Sequence, residues 1–253
     1  MELFTTPING SLSLTQQKDM LTFGTDAYLL YAYLRRKSNG KAVEFGAGSG
    51  VISLLAASAG KFAKITAVEV QPEQAEICAN NIVANDLSDR ISTICANVKN
   101  LTPSMIGGEV DAVFANPPYM TVGSGKANLS DAKYIARHEV AGTVLDFALA
   151  AARILKFGGS YYVVWRPDRL PALFSALSAA GLAPKRMTAV HGDANASPSL
   201  ILIEAKKGGA VDGFFLTKPL LLHEDTQASP LIDTPDCKLI YETGEFPNEY
   251  IRP

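Results

Sequence analysis

The sequence predicts an α/β fold: a Rossmann-like, doubly wound sheet of seven strands with an antiparallel terminal strand and helices on both faces. Short apolar segments rich in β-branched residues alternate with segments of helical spacing, an order typical of parallel sheets. Four successive strands end in a glycine-rich turn, an acidic residue, an amide and an Asn-Pro-Pro-Tyr turn. Because the carboxyl ends of parallel strands share one edge, these features are expected to meet in a single ligand-binding crevice.

The chain is expected to consist of one main domain with two flanking segments. Its 253 residues are 47% hydrophobic, which is enough for one sizeable core. We expect a lead-in and capping helix over residues 1–40, the α/β domain over 41–205, and a C-terminal tail over 206–253 packed on that domain. The net charge of −2 argues against a strongly basic surface, so any nucleic acid would be bound through a local patch.

Cysteine and histidine usage argues against disulfides and metal sites. The three cysteines and three histidines are scattered, and no Cys-x-x-Cys pair occurs, which is typical of reduced thiols and gives no zinc-binding spacing. The N-terminus lacks a signal-peptide pattern, and no apolar run reaches the length of a membrane span. We therefore expect a cytoplasmic protein that binds neither a metal nor a membrane.

The N-terminal segment predicts a lead-in followed by one helix. Residues 1–20 are polar and lack periodicity, so they predict an irregular segment or a short hairpin. The apolar run 27–34 predicts a helix with Thr25 or Asp26 as its N-cap. The basic cluster at 35–37 would complement the negative end of the helix dipole. A helix that packs on the main domain explains this segment fully.

The first strand of the main domain, 41–45, runs into a glycine-rich turn and then a helix from Val51. Glycines accept positive φ and let the backbone approach a ligand closely, and the helix start presents free N–H groups. The turn has the pattern Glu-x-Gly-x-Gly-x-Gly from Glu44 to Gly50. This spacing departs from the dinucleotide fingerprint and from the P-loop, so the turn alone does not identify its ligand.

The second and third strands end in side chains that each have two interpretations. Glu69 can accept hydrogen bonds from both hydroxyls of a ribose, or it can cap the helix that opens at Pro72. Asn97 can contact the edge of an adenine, or it can close a turn. The helix between these two strands is expected to end at Asn85 in a left-handed conformation.

The fourth strand, Val110–Ala115, is the central one, because its apolar, β-branched run suits a strand buried on both faces. Pro117 and Pro118 cannot continue the ladder, so they end the strand in a stiff turn. This turn holds the Asn116 amide, a carbonyl and the Tyr119 ring together. A proline-rich turn with a packing tyrosine is the simpler interpretation of these residues alone, but the glycine-rich turn upstream favours a functional site.

The rest of the domain continues the alternation. Residues 120–136 predict a long binding loop, and a helix from His138 to Lys156 follows, stopped by the glycines at 158–159. Its buried side is expected to contain Val140, Val144, Leu145, Phe147, Ala148 and Leu149. The remaining elements are expected at 160–165, 167–180, 184–191 and 199–205, the last two as an antiparallel strand pair at one sheet edge. The tail is expected to contain short strands and turns.

Three motifs together resemble the class I S-adenosylmethionine-dependent methyltransferases: the glycine-rich turn of Val43–Gly50, Glu69, and the turn Asn116–Tyr119. The Asn-Pro-Pro-Tyr turn is similar to the signature of those members that methylate planar amino or amide nitrogens. More narrowly, Phe23–Asp26 and Ala136–Glu139 resemble the bacterial tRNA1(Val) adenine-37 N6-methyltransferase family. The resemblance spans most of the main domain and the helix before it.

The resemblance implies S-adenosyl-L-methionine as the cofactor, and it implies three groups of site residues. Residues implied to bind the cofactor are Glu44, Phe45, Gly46, Ala47, Gly48, Gly50, Glu69, Val70, Asn97, Val98 and Asn116. The implied catalytic residues are Asn116, Pro117, Pro118 and Tyr119, and the candidates for RNA contacts are Lys126, Lys133, Arg137 and His138. Glu69 would hold the ribose hydroxyls and Asn97 the cofactor adenine. Many relatives have an aspartate at that last position, and an amide there lacks its charge assistance.

The function implied by the resemblance is N6-methylation of adenosine 37 in the anticodon loop of a tRNA, by a protein that we take to be a monomer. The Asn116 side-chain oxygen and the Pro117 carbonyl would accept the two N–H bonds of the adenine amino group and orient its nitrogen. Tyr119 would stack on a base flipped out of the anticodon loop.

Three other functions stay open. A protein glutamine N5-methyltransferase of the release-factor type offers the same planar nitrogen to the same acceptors, although such relatives usually carry a helical domain before the glycine turn. Only about 40 residues precede that turn in this chain. A non-catalytic cofactor-binding protein would not need both Asn116 and Tyr119. Methylation of DNA or a small molecule is disfavoured by the narrower family motifs.

Overall fold

A computed structural model of the chain describes residues 2–18, 24–117 and 142–251. Its strands and helices, in chain order, are β1 (Leu3–Pro7), β2 (Ser13–Gln17), α1 (Thr25–Tyr33), β3 (Lys37–Phe45), α2 (Val51–Ser58), β4 (Phe62–Glu69), α3 (Pro72–Ala84), β5 (Ile91–Cys95), β6 (Val110–Ala115), α4 (Val144–Ile154), β7 (Leu155–Trp165), α5 (Leu170–Ala179), β8 (Leu182–His191), β9 (Pro198–Lys207), β10 (Phe215–Leu216), β11 (Leu220–Leu221) and α6 (Pro235–Thr243). Single 3₁₀ turns lie at Val98–Asn100, Pro103–Ile106, Pro167–Arg169 and Asn248–Tyr250.

The main sheet has nine strands in the order β10-β8-β9-β7-β6-β3-β4-β5, with β11 also paired to β8. The seven long strands form the doubly wound, Rossmann-like core that the sequence predicts. Neighbouring strands of this core are parallel, except that β9 runs antiparallel to both β7 and β8. The predicted antiparallel pair is therefore present, and β9 lies inside the sheet rather than at its edge. β10 and β11 extend the sheet beyond β8.

Helices cover both faces of the sheet, as predicted. Successive residues of a central strand enter different cores, because side chains alternate across a sheet. In β3, Ala42 packs with α1 and α2, whereas Val43 packs with α4 and α5. In β6, Phe114 and Val113 divide in the same way, and both are fully buried. Burial on both faces holds β6 rigidly at the centre, and its carboxyl end carries the candidate catalytic turn.

The N-terminal segment forms the β1–β2 hairpin, which is one of the two predicted alternatives. Asn81 and Asn85 of the α3 segment bond the backbone of β2 at Thr15 and Ser13, each amide donating and accepting once at 2.8–2.9 Å. These amides substitute for a neighbouring strand. Asn85 has a negative φ, and the left-handed residue after α3 is Asp86, so the predicted cap was one residue early.

Helix α1 begins and ends at other residues than the sequence predicts. Gly24 is its N-cap, not Thr25 or Asp26, and the helix ends at Tyr33. The basic cluster does not complement the helix dipole. Arg35 instead lies 2.9 Å from Glu204, and Lys37 lies in β3, where it pairs with Asp111. Acidic partners on neighbouring strands therefore take the charges that the local sequence suggested for the helix end.

A buried ion pair between β8 and β9 also holds the end of α1. Arg186 of β8 lies 3.1 Å from Glu204 of β9, and both side chains are almost completely buried. The Arg186 guanidinium also donates to the carbonyls of Tyr33 and Tyr250, at 2.7 and 3.3 Å, and stacks over the Tyr33 ring. Hydrogen bonds of this kind compensate the desolvation of a buried charge. The end of α1 is therefore fixed relative to β8 and to the tail.

Helix α4 is shorter than the sequence predicts at both ends. It begins at Val144 because Thr143 and Asp146 form a reciprocal capping box. It ends at Ile154, and the glycines at 158–159 lie inside β7, where the pairing with β6 is irregular. Leu145 and Leu149, predicted on the buried side, are 40% and 42% exposed. Val140 and His138 lie outside the described residues.

The tail contains a helix that the sequence analysis missed. Thr234 caps α6 by accepting from the backbone N–H of Cys237, and Pro235 opens it. The Tyr28 hydroxyl of α1 donates to the carbonyl of Tyr241 at 2.9 Å, and the two rings lie 5.1 Å apart. The described part of the tail thus packs against α1.

Within residues 2–18, 24–117 and 142–251, no helix combines the length and the apolar character that crossing a bilayer requires. In the same ranges, no three His, Cys, Asp or Glu side chains are grouped closely enough to hold a metal ion.

Candidate active site

The candidate site lies where β3, β4 and β6 end side by side. In the sheet register, Phe45 of β3 is paired with Val68 of β4 and with Ala115 of β6. The next residues along these strands are therefore neighbours at one edge of the sheet. They include Glu69 and Asn116. The parallel register thus brings together the glycine turn, the acidic residue and Asn116, the first residue of the Asn-Pro-Pro-Tyr motif.

The glycine turn leaves open space at this edge. Gly46 and Gly48 have φ values of +67° and +52°, and a Cβ atom added to either would meet no atom within 4 Å. The backbone N–H groups of Gly46 and Ala47 donate to the Val68 carbonyl at 2.8 and 3.1 Å, which ties the turn to β4. The turn is therefore held rigidly and can approach a ligand through its backbone.

Gly50 differs from the other two glycines, because it packs against protein. Its φ is +87°, and an added Cβ would lie 2.6 Å from the Cys78 sulfur of α3. Absence of a side chain lets the start of α2 pack closely on α3. The family resemblance implied that Gly50 contacts the cofactor, and this contact stays a prediction. The structure adds a packing role against Cys78. No local sequence pattern shows that role, because it depends on how α2 and α3 meet.

Replacing Gly50 with alanine is expected to destabilise the fold by about 2–5 kcal/mol. Positive φ costs a non-glycine residue about 1–2 kcal/mol, and the overlap with Cys78 adds about 1–3 kcal/mol of overpacking. Gly107→Ala is the matched control, because Gly107 has φ +71° and open space around it. Urea unfolding measures the free energy of unfolding of both variants. Equal losses of stability at the two positions would contradict the packing role.

Glu69 links the glycine turn to the next helix. The residue is 4% exposed, and its two carboxylate oxygens accept from the backbone N–H groups of Gly48 and Gln71, both at 2.9 Å. Gln71 is the N-cap residue of α3, so one Glu69 oxygen holds the start of that helix, as the capping interpretation predicts. A carboxylate has about four acceptor positions. Glu69 can therefore hold the turn and still receive two ligand hydroxyls.

Glu44 is buried beneath the turn and fastens the start of α2. One oxygen accepts from the Ser53 backbone N–H at 2.9 Å and forms a short hydrogen bond with the Ser53 hydroxyl. Burial raises the pKa of Glu44 from 4.5 to about 8; the Ser53 hydrogen bonds oppose this shift and nearby Glu69 adds to it. Its side chain is 2% exposed. The structure therefore shows a support for the turn, while contact with a cofactor stays a prediction.

This pKa makes stability depend on pH with a definite sign. Between pH 4.5 and about 8, the folded state retains a Glu44 proton that the unfolded state has lost, so stability falls as pH rises. We expect Glu44→Gln to remove a slope of up to about 1.4 kcal/mol per pH unit. Urea unfolding at about pH 5.5 and pH 7.5 measures the slope. If the wild type and the variant lose equal stability over this interval, the assignment of the proton is wrong.

Asn97 closes a turn, which is one of its two predicted roles. Its side-chain oxygen accepts from the Lys99 backbone N–H at 2.9 Å and caps the turn Val98–Asn100.

Among the other predicted cofactor residues, Phe45 is fully buried and packs edge-on against Phe147, with ring centroids 6.0 Å apart. Ala47 and Val98 are also buried, and Val70 is half-buried. Any contact of the buried residues with a cofactor would therefore use their backbone.

Asn116 follows β6 and has a partner that the sequence analysis did not anticipate. Its side-chain nitrogen donates to the Asp26 carboxylate at 2.9 Å, and both residues are half-buried. Asp26 appeared in the sequence only as a possible helix cap and as part of a family motif. Pro117 is buried directly after Asn116. The predicted site residues Pro118, Tyr119, Lys126, Lys133, Arg137 and His138 lie outside the described residues.

Comparison with known proteins identifies the family of this chain. The methyltransferase small domain model matches residues 18–174. A tRNA1(Val) (adenine(37)-N6)-methyltransferase from Phocaeicola vulgatus is 30% identical over 189 residues, which cover 72% of this chain and 76% of that protein. The protein of the same name from Flavobacteriaceae bacterium strain 3519-10 is 25% identical, with 75% and 78% covered.

Solved structures share the fold. A predicted O-methyltransferase from Agrobacterium tumefaciens superimposes with a TM-score of 0.69 at 21% identity, covering 88% of this chain and 98% of that one. A 16S rRNA N2 G1207 methyltransferase from T. thermophilus, in complex with AdoMet and guanosine, gives a TM-score of 0.55 at 18% identity, covering 81% and 50%. Together with the family match, these results confirm the resemblance found in the sequence. The chain belongs to the methyltransferase small domain family and, within it, to the bacterial tRNA1(Val) (adenine(37)-N6)-methyltransferase family.

Proposed function

We propose that this protein transfers the methyl group of S-adenosyl-L-methionine to the N6 amino group of an adenine in RNA, namely adenosine 37 in the anticodon loop of a tRNA. The observation that carries the proposal is the position of the Asn116 amide. It lies at the end of β6, at the sheet edge that also carries the glycine turn, and its nitrogen donates a hydrogen bond to Asp26. The names of the relatives that match most of the chain support the same substrate.

The residues at the edge of the sheet fit this cofactor. Open space beside Gly46 and Gly48 admits a ligand against the backbone, and the buried Glu69 carboxylate has acceptor positions left for two ribose hydroxyls. When bound, S-adenosyl-L-methionine supplies an electrophilic methyl group on a sulfonium centre. We assign the hydroxyls to Glu69 and the methionine portion to the two glycines.

The residues that act on the substrate are acceptors rather than bases. The lone pair of an aromatic amine is delocalised into its ring, so the nitrogen is a poor nucleophile. If the Asn116 oxygen and the Pro117 carbonyl accept its two N–H bonds, the nitrogen can rehybridise towards sp³. Its lone pair then leaves conjugation with the ring and becomes nucleophilic. Positive charge then develops on the nitrogen opposite two fixed oxygen dipoles, which stabilises the transition state. The methylated nitrogen is strongly acidic, so its proton needs no strong general base.

The remaining contacts concern the RNA. We assign Tyr119 to stacking on the flipped base, and Lys126, Lys133, Arg137 and His138 to the RNA backbone near the anticodon loop. We take the active form to be a monomer. An enzyme that acts on tRNA in a bacterium works in the cytoplasm, and we place this protein there.

The test of this function offers two classes of acceptor in parallel. The protein receives methyl-labelled S-adenosyl-L-methionine together with small RNA or a protein extract, each taken from a strain that lacks the gene. Labelled RNA is then digested to nucleosides. We expect label in RNA, recovered as N6-methyladenosine. Label confined to the protein extract would overturn the proposal and indicate methylation of a glutamine amide, which offers the same planar nitrogen.

A further inference from the structure

The contact between Asp26 and Asn116 determines which end of the amide faces the reaction. The two residues are 90 positions apart, and Asn116 Nδ2 lies 2.9 Å from Asp26 Oδ2. A carboxylate accepts hydrogen bonds and has none to donate, so only the nitrogen end of the amide can face it. The Asn116 oxygen must therefore point in the opposite direction. Without such a partner, an amide can turn by 180° and exchange its donor and its acceptor.

Asp26 is itself held in place by its surroundings. Its other oxygen accepts from the Ala27 backbone N–H at 2.8 Å, in the first turn of α1, where the helix dipole favours a negative charge. Gly24 lies against the carboxylate, since a Cβ added there would be 3.1 Å from Asp26 Oδ1. The tail supports the same turn through the bond from the Tyr28 hydroxyl to the Tyr241 carbonyl. The acceptor for the Asn116 amide is thus preorganised.

We propose that Asp26 is a positioning residue that fixes the Asn116 amide with its oxygen toward the substrate, so that the site accepts a nitrogen bearing hydrogens. This inference rests on the proposed function, because it concerns the amine that Asn116 receives. The hydrogen bond to a carboxylate also polarises the amide, which strengthens its oxygen as an acceptor. A turned amide would instead present N–H groups to the substrate amine and repel it.

The first test is Asp26→Asn, which keeps the size of the side chain and an oxygen that can accept from the Ala27 backbone N–H. If Asp26 served only the helix start, this variant would behave as the wild type. If Asp26 is a positioning residue, the variant is expected to lower kcat by about 10- to 100-fold. The KM for the acceptor and the Kd for S-adenosyl-L-methionine are expected to stay within about twofold of the wild-type values. Glu73→Gln is the matched control, because Glu73 is an exposed first-turn acid of α3.

The second test exchanges the two groups. Asn116→Asp alone brings two carboxylates together, which repel each other, whereas Asn116→Asp combined with Asp26→Asn restores one donor and one acceptor. We expect the double variant to exceed the single Asn116→Asp variant in kcat by about tenfold or more. An unchanged kcat in Asp26→Asn, or no gain in the double variant, would overturn the inference.

A third readout is independent of the substrate and separates this inference from the proposed function. The side-chain NH₂ signals of Asn116 can be observed in ¹⁵N-asparagine-labelled protein and assigned by their absence in Asn116→Asp. We expect Asp26→Asn to shift these signals by removing the carboxylate, and Glu73→Gln to leave them unchanged. If wild type transfers no methyl group to RNA, the proposed function fails, and the kinetic tests use the acceptor that is labelled. Unshifted signals in Asp26→Asn would contradict the contact itself.

Discussion

Replacing Asn116 with alanine is expected to lower kcat for methyl transfer by about 100- to 1,000-fold, while binding of S-adenosyl-L-methionine stays nearly unchanged. The variant removes the oxygen that accepts an N–H of the substrate amine and, with it, a fixed dipole facing the developing positive charge. The cofactor is held mainly by groups on β3 and β4, and the variant leaves these in place. The loss therefore falls on the chemical step.

Single-turnover transfer and calorimetric binding of the cofactor measure the two halves of this expectation. Asn80→Ala is the matched control, because Asn80 is an exposed asparagine of α3 outside the proposed site. Turnover close to that of the wild type would rule out Asn116 as the acceptor. A loss of cofactor affinity equal to the loss of kcat would instead show that Asn116 serves binding.

Replacing Glu69 with alanine is expected to raise the Kd for S-adenosyl-L-methionine by about 100-fold or more. Two hydrogen bonds to the ribose hydroxyls are lost, and bonds to a charged group contribute about 1.5–3 kcal/mol each. The same change releases the N–H groups of Gly48 and Gln71 from their carboxylate partner, so the turn that faces the ligand is no longer fixed. The two losses act in the same direction on affinity.

Glu69→Gln separates the two contributions. A glutamine can offer its oxygen to only one of the two backbone N–H groups, and its NH₂ group opposes the other. We therefore expect an affinity between those of the wild type and the alanine variant. Glu76→Ala, an exposed acid of α3, serves as the control. Calorimetric affinities for Glu69→Ala within about threefold of the wild type would contradict the assignment of the ribose to Glu69.

Local patterns were sufficient to predict the elements that build the edge of the sheet. The apolar run of β6, the two prolines after it and the glycines after β3 are each signals within ten residues of sequence. Parallel pairing then brings Asn116 near Glu69, because register alone determines which strand ends are neighbours. The fold and the position of the site therefore followed from alternation and turn chemistry.

Contacts between distant segments could not be predicted in the same way. The Asp26–Asn116 bond joins residues 90 positions apart, and the packing of Gly50 on Cys78 depends on how two helices meet. The start of α4 is a different case, because the capping box of Thr143 and Asp146 is local, whereas the sequence predicted a start at His138. Tertiary packing therefore explains the first two contacts, and a local pair of hydrogen bonds explains the helix start.

Methyl transfer to a tRNA1(Val) transcript with adenosine at position 37, compared with a transcript carrying guanosine there, tests the proposed reaction on its own substrate. We expect N6-methyladenosine at position 37 of the first transcript and no label in the second. We also expect Asn116→Ala to label neither. Equal labelling of the two transcripts, or label at an atom other than N6, would show that adenosine N6 is not the methylated position.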